Sequence, residues 1–140
     1  RRRAQAGLSR QRTFNFLGFT HYWGRTKKGK IVVKRKTQAT RMTRKLKELR
    51  AELRRRWHET IGEQYTWLCQ VLRGHYQYYG VIFNGRSLSR FLYLVHRMWF
   101  KAMKRRTRKN RLNWQKFNTL LKVYPLPKPR IHQSWYRIAD

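Results

Sequence analysis

Acidic side chains are nearly absent from this chain of 140 residues, which holds five Asp and Glu residues against 36 Lys and Arg residues. Its formal net charge is +31 at pH 7. A charge of that size on so small a body opposes compaction, which excludes an ordinary metabolic enzyme acting as a free monomer. Two-metal phosphoryl transfer needs several carboxylates converging on the ions, so the composition also argues against such a site here.

Four of the acids form two pairs at i,i+4 spacing, Glu48 with Glu52 and Glu59 with Glu63. The first pair stands among several Lys and Arg residues, so we interpret it as salt bridges on a helix surface. No other grouping of acidic residues suggests a metal site. We expect neither catalytic residues nor metal ligands in this chain.

Cysteine is equally scarce, since Cys69 stands alone, and the His residues show none of the short paired spacings of zinc sites. A single cysteine excludes an internal disulfide and suits a reducing compartment. No apolar run approaches the roughly 18 residues of a membrane span, and we expect no signal peptide. The sequence therefore predicts a cytoplasmic protein without a membrane partner.

Hydrophobic residues make up 40% of the chain and aromatic residues 15%. A disordered basic tail would lack the apolar area that offsets the entropy cost of ordering, so these fractions indicate a folded module. The cations on its surface need a polyanion to relieve their mutual repulsion. The composition therefore indicates a nucleic-acid-binding protein.

The first segments predict an irregular basic lead-in over residues 1–13 and then a β-hairpin. Aromatic residues between Phe14 and Trp23 favour one strand, and Ile31 to Val33 favour its partner after a turn rich in Gly and Lys. Gly18 within the first strand indicates a bulge or a close approach by another backbone, with a plain packing gap as the alternative. A lone hairpin is marginal in water, so other parts of the molecule must cover it.

From Thr40 onward the apolar residues follow a helical spacing, with a narrow stripe from Met42 to Trp57 and either Thr37 or Thr40 as the N-cap. A capping box, Thr60 to Glu63, predicts the start of a second helix.

A third helix with a broad apolar face follows Asn84 and runs to about Arg105, which makes it the predicted central helix. Asn113 is the predicted cap of a fourth helix, which the prolines from Pro125 onward end. We predict a mainly α fold, a three- to four-helix bundle preceded by a β-hairpin. The predicted divisions are 1–36, 37–126 and a Pro-rich extended tail over 127–140.

An aromatic cluster at Tyr76, Tyr78 and Tyr79 lies beside Arg73 and His75 and has two interpretations. It either packs against the core, which is the commoner case, or forms a stacking and phosphate platform for RNA.

The order of these segments resembles the C-terminal part of group II intron reverse transcriptases over roughly residues 13–133. Phe16-Leu17-Gly18-Phe19 on a strand, followed by a basic turn, is similar to the last block of their palm domain. The helices resemble their thumb, also called the maturase-specific or X domain. The matching pieces there are Leu72-Arg73-Gly74-His75, Tyr78-Tyr79-Gly80, Phe91, Trp99, Arg105-Arg106, Trp114 and the proline-rich segment from Leu126 to His132.

The resemblance implies an intron-encoded protein of a bacterial ribonucleoprotein, whose relatives copy RNA into DNA and hold the intron RNA in its splicing-competent fold. Its thumb would grip the template–primer duplex and intron RNA, and Phe16, Leu17, Gly18 and Phe19 would lie near the primer. The implied partners are intron RNA, an RNA–DNA or RNA duplex, and a separate fingers and palm polypeptide.

The Tyr-x-Asp-Asp block that holds the polymerase metals in that family has no match in this sequence. The resemblance therefore implies part of an RNA-directed DNA polymerase rather than a complete one. No cofactor is expected in this chain, and Mg²⁺ is expected only together with the missing palm carboxylates.

Arginine and lysine on the helices are the predicted backbone contacts, because such cations pair with phosphate and arginine does so bidentately. The predicted nucleic-acid-binding residues are Lys45, Arg50, Arg54, Arg55, Arg73, His75, Tyr79, Lys104, Arg105, Arg106 and Arg108. The composition fits equally well a structural RNA-packing protein of the ribosomal kind, with no connection to a polymerase.

Overall fold

The computed structural model describes residues 13–106 and 111–132. Most of the predicted lead-in, the predicted contact Arg108 and the end of the predicted tail lie outside these ranges. The elements are β1 (Phe14–Phe16), β2 (Phe19–Arg25), β3 (Ile31–Thr37), α1 (Ala39–Arg55), α2 (Ile61–Tyr79), α3 (Gly85–Arg106) and α4 (Trp114–Val123). The predicted fold class is confirmed, since an antiparallel sheet of order β1-β2-β3 precedes the helices.

The prediction of a single strand from Phe14 to Trp23 is wrong, because the chain reverses at Leu17 and Gly18. Both residues have positive φ, 53° and 85°, and the turn pairs Phe16 with Phe19. Positive φ at both central residues is the geometry of a type I′ hairpin turn, which matches the twist of the strands it joins. The sheet therefore has three strands rather than two.

Gly18 serves this turn and also lies under a tyrosine from α2. A Cβ at Gly18 would meet the Tyr79 hydroxyl oxygen at 2.8 Å. The predicted close approach to Gly18 is present, but the Tyr79 side chain makes it and not another backbone. The hydroxyl of the neighbouring Tyr78 donates a hydrogen bond to the Leu17 carbonyl oxygen at 2.6 Å. The end of α2 thus holds the tip of the first hairpin.

Helix α3 is the centre of the core, as its broad apolar face predicts. It contributes seven buried residues: Leu88, Phe91, Val95, Met98, Trp99, Phe100 and Met103. The other helices pack Leu49, Leu53, Leu68, Leu72 and Phe117 around it. Burial of this many large apolar side chains is the main favourable term in folding a chain with such a surface charge.

The helix starts follow local capping, with one correction. At α2 the Thr60 hydroxyl accepts from the Glu63 backbone N–H at 3.1 Å and the Glu63 carboxylate accepts from the Thr60 backbone N–H, so the predicted capping box is confirmed. At α4 the Asn113 side chain accepts from the Lys116 backbone N–H at 2.9 Å, also as predicted. At α1, however, the N-cap is Gln38, whose side chain makes no capping hydrogen bond.

The buried Asn84 joins the sheet to the start of α3. Its Oδ1 accepts from the Thr37 backbone N–H at 2.8 Å, and its Nδ2 donates to the Thr37 hydroxyl at 2.9 Å and to the Tyr79 carbonyl oxygen at 2.8 Å. Because Thr37 ends β3 and Tyr79 ends α2, one amide fixes three elements relative to one another. The Asn84 side chain is held in one conformation because its oxygen accepts one hydrogen bond and its nitrogen donates two.

The last described segment, residues 124–132, is extended and lies along α2. The hydroxyl of Tyr65 donates to the Pro125 carbonyl oxygen at 2.9 Å, and that of Tyr76 donates to the Pro127 carbonyl oxygen at 2.8 Å. Gly80 permits the contact, since a Cβ there would meet the Arg130 carbonyl oxygen at 2.5 Å. Prolines cannot continue α4, and the tyrosines hold the chain that follows it.

Replacing Asn84 tests the importance of this link. We expect Asn84→Ala to lower the free energy of unfolding by about 2 kcal/mol, because it leaves the buried Thr37 N–H without a partner and removes one of the two hydrogen bonds that the Tyr79 carbonyl oxygen accepts. Urea denaturation followed by circular dichroism measures the change. The exposed Asn118→Ala on α4 is the control and should stay within about 0.5 kcal/mol of the parent. Equal effects of the two substitutions would contradict the role given to Asn84.

Candidate nucleic-acid interface

Helices α1 and α3 run in the same direction and leave a groove between their C-terminal halves. Their starts are brought together by the hydrogen bonds between Thr37 and Asn84. The groove has a volume of about 790 Å³. Its lining comprises Leu46, Arg50, Leu53, Arg54, Trp57, Leu94, Arg97, Met98, Lys101, Ala102, Arg105 and Arg106. We call it the α1/α3 groove.

The α1/α3 groove combines buried or half-buried apolar residues with exposed cations. The exposed cations come in rows at four-residue spacing, Arg50 and Arg54 on α1, and Arg97, Lys101 and Arg105 on α3. Side chains four residues apart on a helix lie on the same face, about 6 Å apart along its axis. The two rows therefore point positive charge at whatever occupies the groove.

Trp57 lies at the end of the groove with 59% of its surface exposed. The prediction that it continues the inward stripe of α1 is wrong, because the helix ends at Arg55 and the chain turns before Trp57 reaches the core. An exposed indole beside guanidinium groups offers a flat apolar surface to a sugar or a base.

A buried hydrogen-bond chain supports this end of the groove. The Trp99 indole N–H donates to the Gln64 side-chain oxygen at 3.0 Å, and the Gln64 amide nitrogen donates to the Arg56 carbonyl oxygen at 2.9 Å. The chain ties α3, α2 and the end of α1 together. Arg106 adds a further link, since its guanidinium donates to the Glu59 carbonyl oxygen.

Arg56 has a structural role close to the groove. Its guanidinium contacts the Glu52 carboxylate at 3.1 Å and the Glu59 carboxylate at 3.0 Å, and it lies 4.9 Å from the centre of the Trp67 ring. Two acids thus hold one half-buried arginine in place. Removing one partner of such a pair would leave the other group partly buried without compensation.

Four of the predicted contacts line the α1/α3 groove: Arg50, Arg54, Arg105 and Arg106. The other described cations of the prediction lie elsewhere on the surface. Arg55 is exposed and pairs with Glu52 at 3.4 Å. Lys104 lies over the Phe100 ring at 5.9 Å. Lys45 and Arg73 are exposed outside the groove.

His75 and Tyr79, two of the predicted nucleic-acid-binding residues, pack against other aromatic rings of the fold. His75 is buried, 6% exposed, with its ring stacked on Phe91 at 3.7 Å between centroids. Tyr79 is half-buried, and its ring centre lies 5.1 Å from that of Phe19. For these two residues the packing interpretation of the aromatic cluster is correct. Tyr78, by contrast, is 51% exposed.

Arg97 and Lys101 are groove residues that the list of predicted contacts omits. The signal for them is in the sequence, since both precede Arg105 at four-residue spacing and each follows an apolar position of α3 by three residues. That pattern places cations at the edge of an apolar face. The packing of α1 against α3 decides whether this edge stays open, and residue spacing within α3 carries no signal for that packing.

The predicted primer-proximal residues form the first hairpin and differ in exposure. Phe16 and Leu17 are 60% and 65% exposed, Gly18 is buried in the turn, and Phe19 is 8% exposed against the tyrosines of α2. The two outward residues thus present apolar surface at the tip of the hairpin.

Among the residues described, no group of three or more His, Cys, Asp and Glu side chains could hold a metal ion. Within the same ranges, none of the helices combines the length and apolar character needed to cross a bilayer.

Burial and, to a smaller extent, the nearby positive charge of Lys45 together lower the pKa of His75 to about 4. His75 is therefore neutral at pH 7 in the native state. In the unfolded chain it titrates near 6.5. Between these values the unfolded state takes up a proton that the native state does not, so stability is lost as the pH falls.

We expect this difference to cost about 3 kcal/mol of stability between pH 7 and pH 4, because one pKa unit corresponds to about 1.4 kcal/mol. Urea denaturation at pH 7.0 and pH 4.5, on the parent chain and on His75→Phe, measures it. The variant should lose about 2 kcal/mol less than the parent on acidification. An equal loss in the two proteins would show that His75 does not titrate as described.

No family model, curated protein or solved structure matches this chain.

Proposed function

We propose that this chain is the nucleic-acid-binding C-terminal part of a group II intron reverse transcriptase and maturase. It grips a template–primer duplex and intron RNA, and so supports splicing and reverse transcription. The observation that carries the proposal is the α1/α3 groove, with its two rows of exposed cations and the exposed Trp57. The resemblance of the order of motifs to that of the intron-encoded proteins supports the specific assignment.

The chemistry of the groove suits a sugar–phosphate backbone. Its rims offer guanidinium and ammonium groups to phosphates, while the apolar lining and Trp57 offer contact to sugars or unpaired bases. Backbone contacts of this kind position a duplex without selecting its sequence. A thumb that must follow a moving duplex needs binding of that type.

The proposal extends to partners and place. The chain would work beside a fingers and palm polypeptide that supplies the metal carboxylates, within a cytoplasmic ribonucleoprotein of a bacterium. The buried free thiol of Cys69 suits a reducing compartment.

A ribosomal-type packing protein is the rival assignment, and binding preference separates the two. A thumb should bind primer–template hybrid and structured intron RNA more tightly than bulk ribosomal RNA at equal salt. Competition titration with unlabelled ribosomal RNA measures the preference. Equal competition by all three RNAs would favour the packing protein.

Salt dependence tests the groove itself. Five groove cations that each neutralise one phosphate predict a slope of log K against log salt of about −4, taking roughly 0.7 to 0.9 per contact. Single substitutions to alanine at Arg50, Arg54, Arg97, Lys101 or Arg105 should each reduce the slope by about one and weaken binding to all sequences alike. Fluorescence anisotropy between 50 and about 300 mM salt measures both.

The exposed Lys122 on α4 provides the matched control, since it lies outside the groove. Lys122→Ala removes one positive charge without removing a groove contact, so its slope should equal that of the parent. Equal slopes for Lys122→Ala and for the groove variants would show that net charge, rather than the groove, determines binding.

Primer extension tests whether this chain only binds nucleic acid while a separate fingers and palm polypeptide carries out polymerisation. With Mg²⁺, deoxynucleotides and an RNA template carrying a DNA primer, we expect this chain alone to give no extension, because no metal-binding carboxylates converge within the described residues. A fingers and palm polypeptide should extend further along the template when this chain is added. Extension by this chain alone would refute the assignment.

A further inference from the structure

A second pocket lies on the other side of α1, between its N-terminal half and the C-terminal half of α2. It has a volume of about 510 Å³, and we call it the α1/α2 pocket. Three exposed cations of α1 line it, Arg41, Arg44 and Lys45. It shares no lining residue with the α1/α3 groove. Binding of a ligand in the pocket is therefore separate from binding of a nucleic-acid backbone in the groove.

Glu48 is the unusual member of this lining. The other acids within the described ranges are engaged, Glu52 and Glu59 with Arg56, and Glu63 in its capping box. Glu48 forms no ion pair or hydrogen bond with any described residue, which corrects the prediction that it is salt-bridged to its neighbours. A carboxylate beside three cations repels phosphate, so a pocket that binds phosphate alone gains nothing from it.

A carboxylate without a partner is suited to a ligand that donates a hydrogen bond. The exocyclic amino group of a nucleobase is such a donor, and Glu side chains accept from the N4 amino group of cytosine. The exposed Gln70 amide in the same lining can donate and accept at a base edge.

The inner end of the pocket supplies a second, independent feature. His75 lines the pocket, is 6% exposed, and its Nε2 has no hydrogen-bond partner among the described residues. Buried polar atoms are nearly always paired, so the unpaired Nε2 marks an unusual site. That atom is closed to the surface, so it belongs to the wall of the pocket and not to the surface that a ligand contacts.

An aromatic surface completes the pocket. Tyr78 is 51% exposed, and its hydroxyl is held by the Leu17 carbonyl oxygen. The ring is therefore fixed in position while much of its surface remains open. Stacking of an unpaired base on a fixed aromatic ring is a common mode of RNA recognition.

We propose that the α1/α2 pocket binds one unpaired nucleotide of the RNA and prefers a base with an exocyclic amino group. Arg41, Arg44 and Lys45 contact its phosphate, Tyr78 contacts its base, and Glu48 accepts from the amino group. This inference rests on the proposed RNA-binding function, and it adds base selection in the α1/α2 pocket to the phosphate contacts proposed for the α1/α3 groove.

The test uses two RNA duplexes that differ at one unpaired position, cytosine in one and uracil in the other. Anisotropy titrations at one salt concentration should give at least about fivefold tighter binding of the cytosine form, since a base contact of this kind contributes upward of about 1 kcal/mol. Glu48→Ala should bring the two affinities within about twofold of each other, because the cytosine form loses its hydrogen bond while the uracil form loses only the repulsion of a negative charge. Glu48→Gln, which retains an acceptor oxygen, should keep part of the preference.

Glu63→Gln is the matched control, since it changes net charge by the same amount outside the pocket and glutamine also suits a capping box. It should keep the full preference for cytosine. Binding without a cytosine preference, or a preference that survives in Glu48→Ala, would overturn this inference and leave the groove assignment standing. Failure of the parent chain to bind either duplex would instead overturn the proposed function.

Discussion

Repulsion among surface cations is the constraint on which the whole structure depends. With a formal charge of +31 and three described acids tied into ion pairs or a cap, electrostatics oppose the folded state. The opposing term is apolar burial around α3, whose residues Phe91, Val95 and Trp99 are 0% exposed. A polyanion bound as proposed would relieve the repulsion further and would thereby couple binding to stability.

Two buried side-chain amides fix the positions of the helices relative to one another. Asn84 joins the end of the sheet and the end of α2 to the start of α3, and Gln64 joins Trp99 of α3 to the end of α1. Hydrophobic packing alone tolerates sliding between helices, whereas a buried amide whose oxygen and nitrogen both have partners favours one arrangement. The relative placement of α1 and α3, and hence the α1/α3 groove, follows from these two links.

Helix α1 presents different chemistry on its two sides. Towards α3 it offers Arg50 and Arg54 beside an apolar lining, which suits a backbone that is followed along its length. Towards α2 it offers cations together with the unpaired carboxylate of Glu48, which suits a single base. The proposed function, in which the chain holds both a regular duplex and a folded intron, would use each kind of contact. We infer that α1 connects the two modes.

The sequence alone determined the starts of α2 and α4 and the buried face of α3, because caps and apolar periodicity act between neighbours in the chain. It did not reveal the turn at Leu17 and Gly18 or the uncapped start of α1. The basic composition predicts a nucleic-acid partner, and this stays a prediction. Tertiary structure alone decided which cations face a shared groove and which side chains are withdrawn into the core, as His75 is. Those outcomes depend on how the helices pack against one another. Packing brings together residues that are distant in sequence, and local spacing carries no signal for such contacts.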